Sequence, residues 1–160
     1  MSSLFHFYTL YYELYYNINN VILQLFYKLF FDKIEVVIRM DCVFCKIIKG
    51  EIPGKKIYED EKVVAILDVN PVVDGHTMII PKKHVEDFTK LDKELLLHIY
   101  DVANKLCKEL MKKLNSKGMT FTVNYGDSQQ VKHFHLHLLP DYSLKDKEKE
   151  IDEVFDILTK

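Results

Sequence analysis

His133-Phe134-His135-Leu136-His137-Leu138-Leu139-Pro140 sets three histidines at alternate positions with apolar residues between them. On an extended strand successive side chains point to opposite faces, which puts the three imidazoles on one surface and Phe134, Leu136 and Leu138 on the other. Burying imidazole without partners is costly, so three in a row make a poor core and point to chemistry. An exposed His-rich strand and an adventitious metal site are the plainer alternatives.

Working outward, this strand spans 131–139 and follows a short polar loop, 124–130, and a strand at 120–123. Upstream, 56–58 and 63–67 flank the polar Glu59-Asp60-Glu61-Lys62 as a hairpin, and 77–80 reads as a further strand before Pro81. Asn70-Pro71 and Asp74-Gly75 mark turns. From Asp92, a plausible N-cap, apolar residues recur at Leu95, Leu96, Ile99, Val102, Ala103, Leu106, Leu110 and Leu114, and Asn115 and Gly118 close the run. That is one long amphipathic helix. The tail from Ser143 opens with alternating charge and ends in Ile151, Val154, Phe155, Ile157 and Leu158, a small helix with one apolar face. The economical fold class is α+β with a mainly antiparallel sheet.

A chain of 160 residues is long enough for one domain with its own core. A net charge of −2 offers no basic excess for a nucleic-acid polymer, so any nucleic-acid-related ligand should be small. Three cysteines, two of them in Cys42-Val43-Phe44-Cys45, do not form the even framework of a secreted disulfide-stapled domain and fit a reducing cytosol. The expected location is cytoplasmic.

Residues 1–39 differ from the rest, holding eleven of the twenty Phe and Tyr residues. They lack the positive start and cleavage site of a secretory signal, since the first Lys is Lys28. Glu13, Asn17, Asn19, Asn20, Gln24 and Lys28 interrupt each window of about 20 residues that could span a membrane. Two readings stay open: a start assigned too early, with translation beginning at Met40, or an amphipathic helix on a membrane or protein surface. The division expected is a leader at 1–39, a domain at 40–140 and a helical tail at 141–160, with no membrane partner for the domain.

Imidazole is a competent nucleophile toward phosphorus, and a covalent phospho-imidazole splits one hard displacement into two easier ones. His135, central in the row, is best placed to attack through its outer nitrogen, provided the other nitrogen donates to a backbone carbonyl and fixes the tautomer. His133 and His137 on the same face can orient it and share charge with phosphate oxygens or a leaving group. Cys42 and Cys45 could supply two thiolates to a tetrahedral zinc; a redox pair and two packed thiols are the alternatives. Cys107 reads as core, and His98 as solvated helix surface.

Val73-Asp74-Gly75-His76-Thr77-Met78-Ile79-Ile80-Pro81-Lys82-Lys83-His84, the histidine row and the opening Cys42-Val43-Phe44-Cys45-Lys46-Ile47-Ile48-Lys49-Gly50-Glu51-Ile52-Pro53 together resemble the histidine-triad (HIT) superfamily, in its Hint-like, bacterial-type branch. The resemblance covers roughly 41–140. It implies a five-stranded antiparallel sheet with one long helix, a homodimer with a continuous sheet, and reaction at the α-phosphate of purine nucleotides through a nucleotidyl-histidine. No organic cofactor is implied. Matched position by position, His135 is the nucleophile, His133 and His137 are its neighbours and His76 is the fourth histidine. Asn124 and Gln129 fall at phosphate-side positions, Asp68 where an acid accepts from ribose hydroxyls, and Phe44, Ile47, Ile52 and Val69 where the base packs. In metal-bearing relatives the ligands joining Cys42 and Cys45 correspond to His84 and His133, around Zn2+. The implied activity is that of a nucleoside phosphoramidase-like hydrolase or transferase. Dinucleoside polyphosphate hydrolysis, and a nucleotide-binding interaction module with incidental turnover, are the alternatives. The loop Asn124-Tyr125-Gly126-Asp127-Ser128-Gln129-Gln130 departs from the family pattern: it is about two residues shorter, has Ser128 where Gly precedes Gln, and leaves Asp127 unexplained. The charged tail helix is a second departure.

Overall fold

A computed structural model describes residues 20–26, 28–29 and 42–160. The chain divides into two compact units, Met1–Met40 and Asp41–Lys160. In the first, the described residues are helical and exposed, and the two readings of 1–39 otherwise lie outside the described residues. Among the described residues no helix is long and apolar enough to cross a membrane.

The second unit is built on a five-stranded sheet whose paired strands are all antiparallel. In chain order the strands are β1 (Lys56–Glu59), β2 (Val63–Leu67), β3 (Thr77–Pro81), β4 (Met119–Thr122) and β5 (Leu136–Pro140), in the spatial order β1-β2-β3-β5-β4. Three helices join them: α1 (Val43–Lys49), α2 (Lys93–Lys113) and α3 (Ile151–Thr159). Every residue of β2, β3 and β5 is buried, because both faces of the central strands are covered. Leu95, Ile99, Val102, Ala103, Leu106 and Leu110 of α2 pack with Val63, Ala65, Ile79, Leu136 and Leu138. The alternate residues Val64, Ile66, Met78 and Ile80 pack on the other face with Phe44 and Ile47 of α1. The period of 2 along the strands thus sorts one run of apolar residues into two cores.

Asp92 caps α2 as expected, its side chain accepting from the Leu95 N–H at 2.8 Å, and the chain turns away at Asn115 with φ of 51°. Helix α1 carries no periodic signal in a segment so short; its apolar side is set by the sheet it covers. The last strand is shorter than the sequence pattern suggests: it begins at Leu136, not at 131. Its partner β3 ends at Pro81, which has no N–H to extend the ladder, and Phe134 instead donates to the Val85 carbonyl. Side-chain alternation nevertheless persists through 133–135, with Phe134 in the α2 core and the rings of His133 and His135 edge-on to Phe44. Two smaller readings shift as well. His98 is half-buried and bonded to Asp60 at 2.8 Å, and Cys107 lies at the margin of the core near Met111.

Two glycines with positive φ differ in their surroundings. Gly50, at the end of α1, has φ of 76° and open space where a Cβ would stand. Gly75, just before His76, has φ of 79°, and a Cβ there would meet Leu114 Cδ1 at 2.3 Å and Pro140 Cγ at 3.3 Å. Gly50→Ala should cost about 1 kcal/mol, the conformational penalty alone, whereas Gly75→Ala adds overpacking and should cost about 2–4 kcal/mol. Urea unfolding of the two variants beside the parent measures both; equal costs would contradict the packing of this turn.

Candidate active site

The two ends of the histidine row lead to two adjoining clusters. His133 sits where the row leaves the strand, its Nε2–H donating to the Pro81 carbonyl at 2.8 Å. That fixes Nδ1 as the bare nitrogen, and it lies 3.4 Å from Cys42 Sγ and 3.6 Å from Cys45 Sγ. His84 Nδ1 is 3.4 Å from Cys45 Sγ. The four donor atoms lie within 4.8 Å of one another. Around a tetrahedral ion with bonds of about 2.3 Å to sulfur and 2.0–2.1 Å to nitrogen, neighbouring S and N atoms stand about 3.6 Å apart. The donor set and its spacing therefore fit a tetrahedral metal, and the Pro81 carbonyl completes the outer bond that metal-binding histidines usually make.

His135 follows two residues on. Its Nδ1–H donates to the backbone carbonyl of His133 at 2.8 Å, leaving the Nε2 lone pair outward, the tautomer that nucleophilic attack requires. Beside it, His137 Nδ1 is 2.8 Å from His76 Nε2. The direction of that bond follows from its far end. His76 Nδ1 accepts from the Val72 N–H at 3.4 Å, so the His76 proton is on Nε2 and is donated to His137 Nδ1. The His137 proton is then on Nε2, 3.3 Å from Asn124 Nδ2, so the Asn124 carboxamide has to be turned over to present its oxygen to that proton. Asp68 Oδ2 stands 3.5 Å from His76 Nε2, while Asp68 Oδ1 accepts from the Asn70 N–H at 2.9 Å. Asp68, His76 and His137 are close enough to share a metal, but the Val72 N–H leaves the proton at the His76 nitrogen where an ion would need a lone pair.

Burial pushes the imidazoles of His76, His133, His135 and His137 toward neutrality. It lowers the pKa of His133 and of His137 to about 4, the latter also repelled by His135 and His76. His135 and His76 are lowered in the same sense by burial, with Asp68 opposing. A buried neutral imidazole keeps its lone pair available at physiological pH.

The other expected positions are distributed as follows. Phe44, Ile47 and Ile52 join the apolar cluster beside the histidines, while Val69 is 77% exposed at the start of the β2–β3 connection. Gln129 is buried, and its amide donates to the carbonyls of Glu86 and Val131, so this side chain holds the loop in place. The left-handed position of that loop falls on Gly126, at φ of 63° with open space around it, and Ser128 closes a short 3₁₀ turn. The groups that sequence reasoning missed are the Pro81 carbonyl and the Val72 N–H. Both act through backbone atoms, which residue type does not reveal.

Residues 49–144 match the HIT domain family. A HIT-like protein of Methanocaldococcus jannaschii is 48% identical over 104 residues, covering 63% of this chain and 79% of that protein. Among solved structures, a zinc-bound histidine triad family protein from Mycobacterium smegmatis superposes with a TM-score of 0.69 at 33% identity, over 76% of this chain and 92% of that one. A histidine triad nucleotide-binding protein from Sulfolobus tokodaii does so at 0.66 and 33%, over 74% and 87%.

The depressed histidines predict how stability responds to acid. His137 is neutral in the folded chain down to about pH 4 but takes up a proton near 6.5 once unfolded. Between those values the unfolded state binds more protons, so its contribution is complete above about pH 6.5 and is lost as the pH falls toward 4. Urea unfolding at pH 7.5 and 4.5 should give a lower free energy at the acid end, and His137→Asn should flatten that difference. An unchanged slope would mean His137 is not buried neutral.

Proposed function

Because the chain belongs to the HIT domain family, we propose that it is a nucleotide-binding hydrolase or transferase that cleaves purine nucleoside phosphoramidates at the α-phosphate. The observation that carries this reading is the His135 Nδ1–H bond to the His133 carbonyl, which leaves Nε2 unprotonated with its lone pair free to attack. That lone pair attacks phosphorus, the P–N bond to the amine breaks, and the amine leaves with the proton that His137 carries on Nε2. Water then attacks the nucleotidyl-His135 and returns a proton to His137. A nucleoside monophosphate departs and His135 is restored. Asp68, at the mouth of the site, accepts from ribose hydroxyls. Phe44, Ile47 and Ile52 offer the base an apolar wall with Val69 at its rim, and Asn124 steadies His137. Dinucleoside polyphosphate cleavage would use the same nucleophile.

Cys42, Cys45, His84 and His133 would hold a structural zinc ion, on the strength of their spacing and of the zinc-bound relative. When bound, it fixes the His133 backbone and with it the carbonyl that orients His135. A homodimer joined through β4 is supported by the place of that strand at the sheet edge and by exposed Phe121 on it.

His135→Ala should lower turnover at least about 10³-fold while nucleotide binding by calorimetry persists. His137→Ala should hurt alkylamine phosphoramidates far more than arylamine ones, because a good leaving group needs little protonation. Wild-type turnover in His135→Ala would overturn the mechanism. For the metal, elemental analysis of protein prepared without chelators should find about one zinc per chain, falling sharply in Cys42→Ser/Cys45→Ser, with loss of thermal stability. Zinc-free parent protein of full stability would remove the assignment.

A further inference from the structure

Asp74 is at the apex of the β2–β3 connection, six residues after Asp68 and two before His76, yet its side-chain bonds reach a segment near the other end of the chain. Its Oδ1 accepts from the backbone N–H groups of Glu148 and Lys149 at 3.0 and 2.9 Å, and the Lys149 ammonium stands 3.6 Å from Oδ2. Helix α3 starts two residues later. Ile151 and Val154 of α3 close against Leu67, Asp68, Gly75 and His76, leaving a cavity of about 10 Å³, too small for more than one water. The far side of α3 is tied down independently. Lys113 donates to the Leu158 carbonyl, and Lys55 pairs with Asp152 and lies over the Phe155 ring.

We propose that the C-terminal segment, latched at Asp74, is a positioning device for His76 and hence for the proton carried by His137, with Asp74 as the positioning residue. The connection 68–76 is held at its base by the Asp68 N–H to His76 carbonyl bond of 2.9 Å and within by the His76 N–H to Val73 carbonyl bond of 3.2 Å. The Thr77 hydroxyl on the Gly75 carbonyl, with Leu114 and Pro140 beside Gly75, holds the turn from the sheet side, and Asp74 with Ile151 and Val154 holds it from the C-terminal side. The consequence is chemical, because the Val72 to His76 to His137 chain keeps the His137 proton on the nitrogen that faces the leaving group. His135 is oriented from the opposite side by the His133 carbonyl, so the latch acts on leaving-group protonation and leaves nucleophilic attack intact.

The proposal rests on the phosphoramidase reading, and the test separates the two. With the full chain, kcat and KM are measured for purine nucleoside phosphoramidates of arylamine and alkylamine leaving groups. Asp74→Ala should lower kcat for the alkylamine substrate about tenfold, leaving KM within twofold and the arylamine rate near that of the parent. Asp74→Asn keeps an oxygen for both backbone N–H groups and should restore the alkylamine rate. An Asp74→Ala enzyme unchanged on both substrates, or slowed equally on both, would overturn the proposal. Independently of turnover, ¹⁵N NMR of the imidazoles should find His137 protonated at Nε2 in the parent and Asp74→Asn proteins and averaged between its two nitrogens in Asp74→Ala. A His137 tautomer identical in all three would overturn the latch even if no phosphoramidate were cleaved, whereas a parent that turns over no phosphoramidate while the tautomer shifts would fault the substrate assignment alone.

Discussion

One backbone carbonyl, that of His133, joins the two halves of the site. The ring of His133 faces two thiols and its Nε2–H is held by Pro81, while its own carbonyl receives the proton of His135. Whatever fixes the His133 ring therefore also fixes the bond that selects the tautomer of the next histidine in the row. Two purposes, holding the fold and aiming a lone pair, pass through a single peptide unit. A polar site of this kind is tolerable inside the protein because, among the described residues, no fully buried side-chain nitrogen or oxygen lacks a hydrogen-bond partner.

Much of this was legible because it depends on alternation. The spacing of His133, His135 and His137 determines their shared side as soon as the backbone is extended, and it holds even where the ladder stops at Leu136. The helix from Asp92 was legible for the same kind of reason, since its apolar residues recur with a period near 3.6 and its cap is an aspartate. The start of β5 was not, because what ends it is the missing N–H of Pro81 in a different strand. Nor could residue type reveal the Val72 N–H or the Pro81 carbonyl, which every residue possesses in some form. The bond of His98 to Asp60 was not legible either, because the two lie 38 residues apart and only the fold brings the helix to the hairpin turn.

The charged tail is the other instructive case. Its helix was evident from the apolar positions at Ile151, Val154 and Leu158, but its role was not, since that depends on which surface it covers. Val154 is buried and lines a small cavity with Asp68, Gly75 and His76, so a segment that looks like an appendage in the sequence packs behind the turn that carries His76. The sheet alone could position β5, but the loop from Asp68 to His76 leaves the sheet and needs support from outside it.

The donors around His133 are also far apart along the chain. Cys45 and His84 are separated by 39 residues, and Cys42 and His133 by 91. During synthesis the thiols emerge long before the second imidazole, so the cluster can close only when most of the domain has left the ribosome. An ion bound there would tie α1 to the segment that leads into β5 and close long loops, at an entropic cost that grows only slowly with loop length. The bond that selects the His135 tautomer thus lies next to a residue whose ring partners are drawn from almost the whole length of the domain.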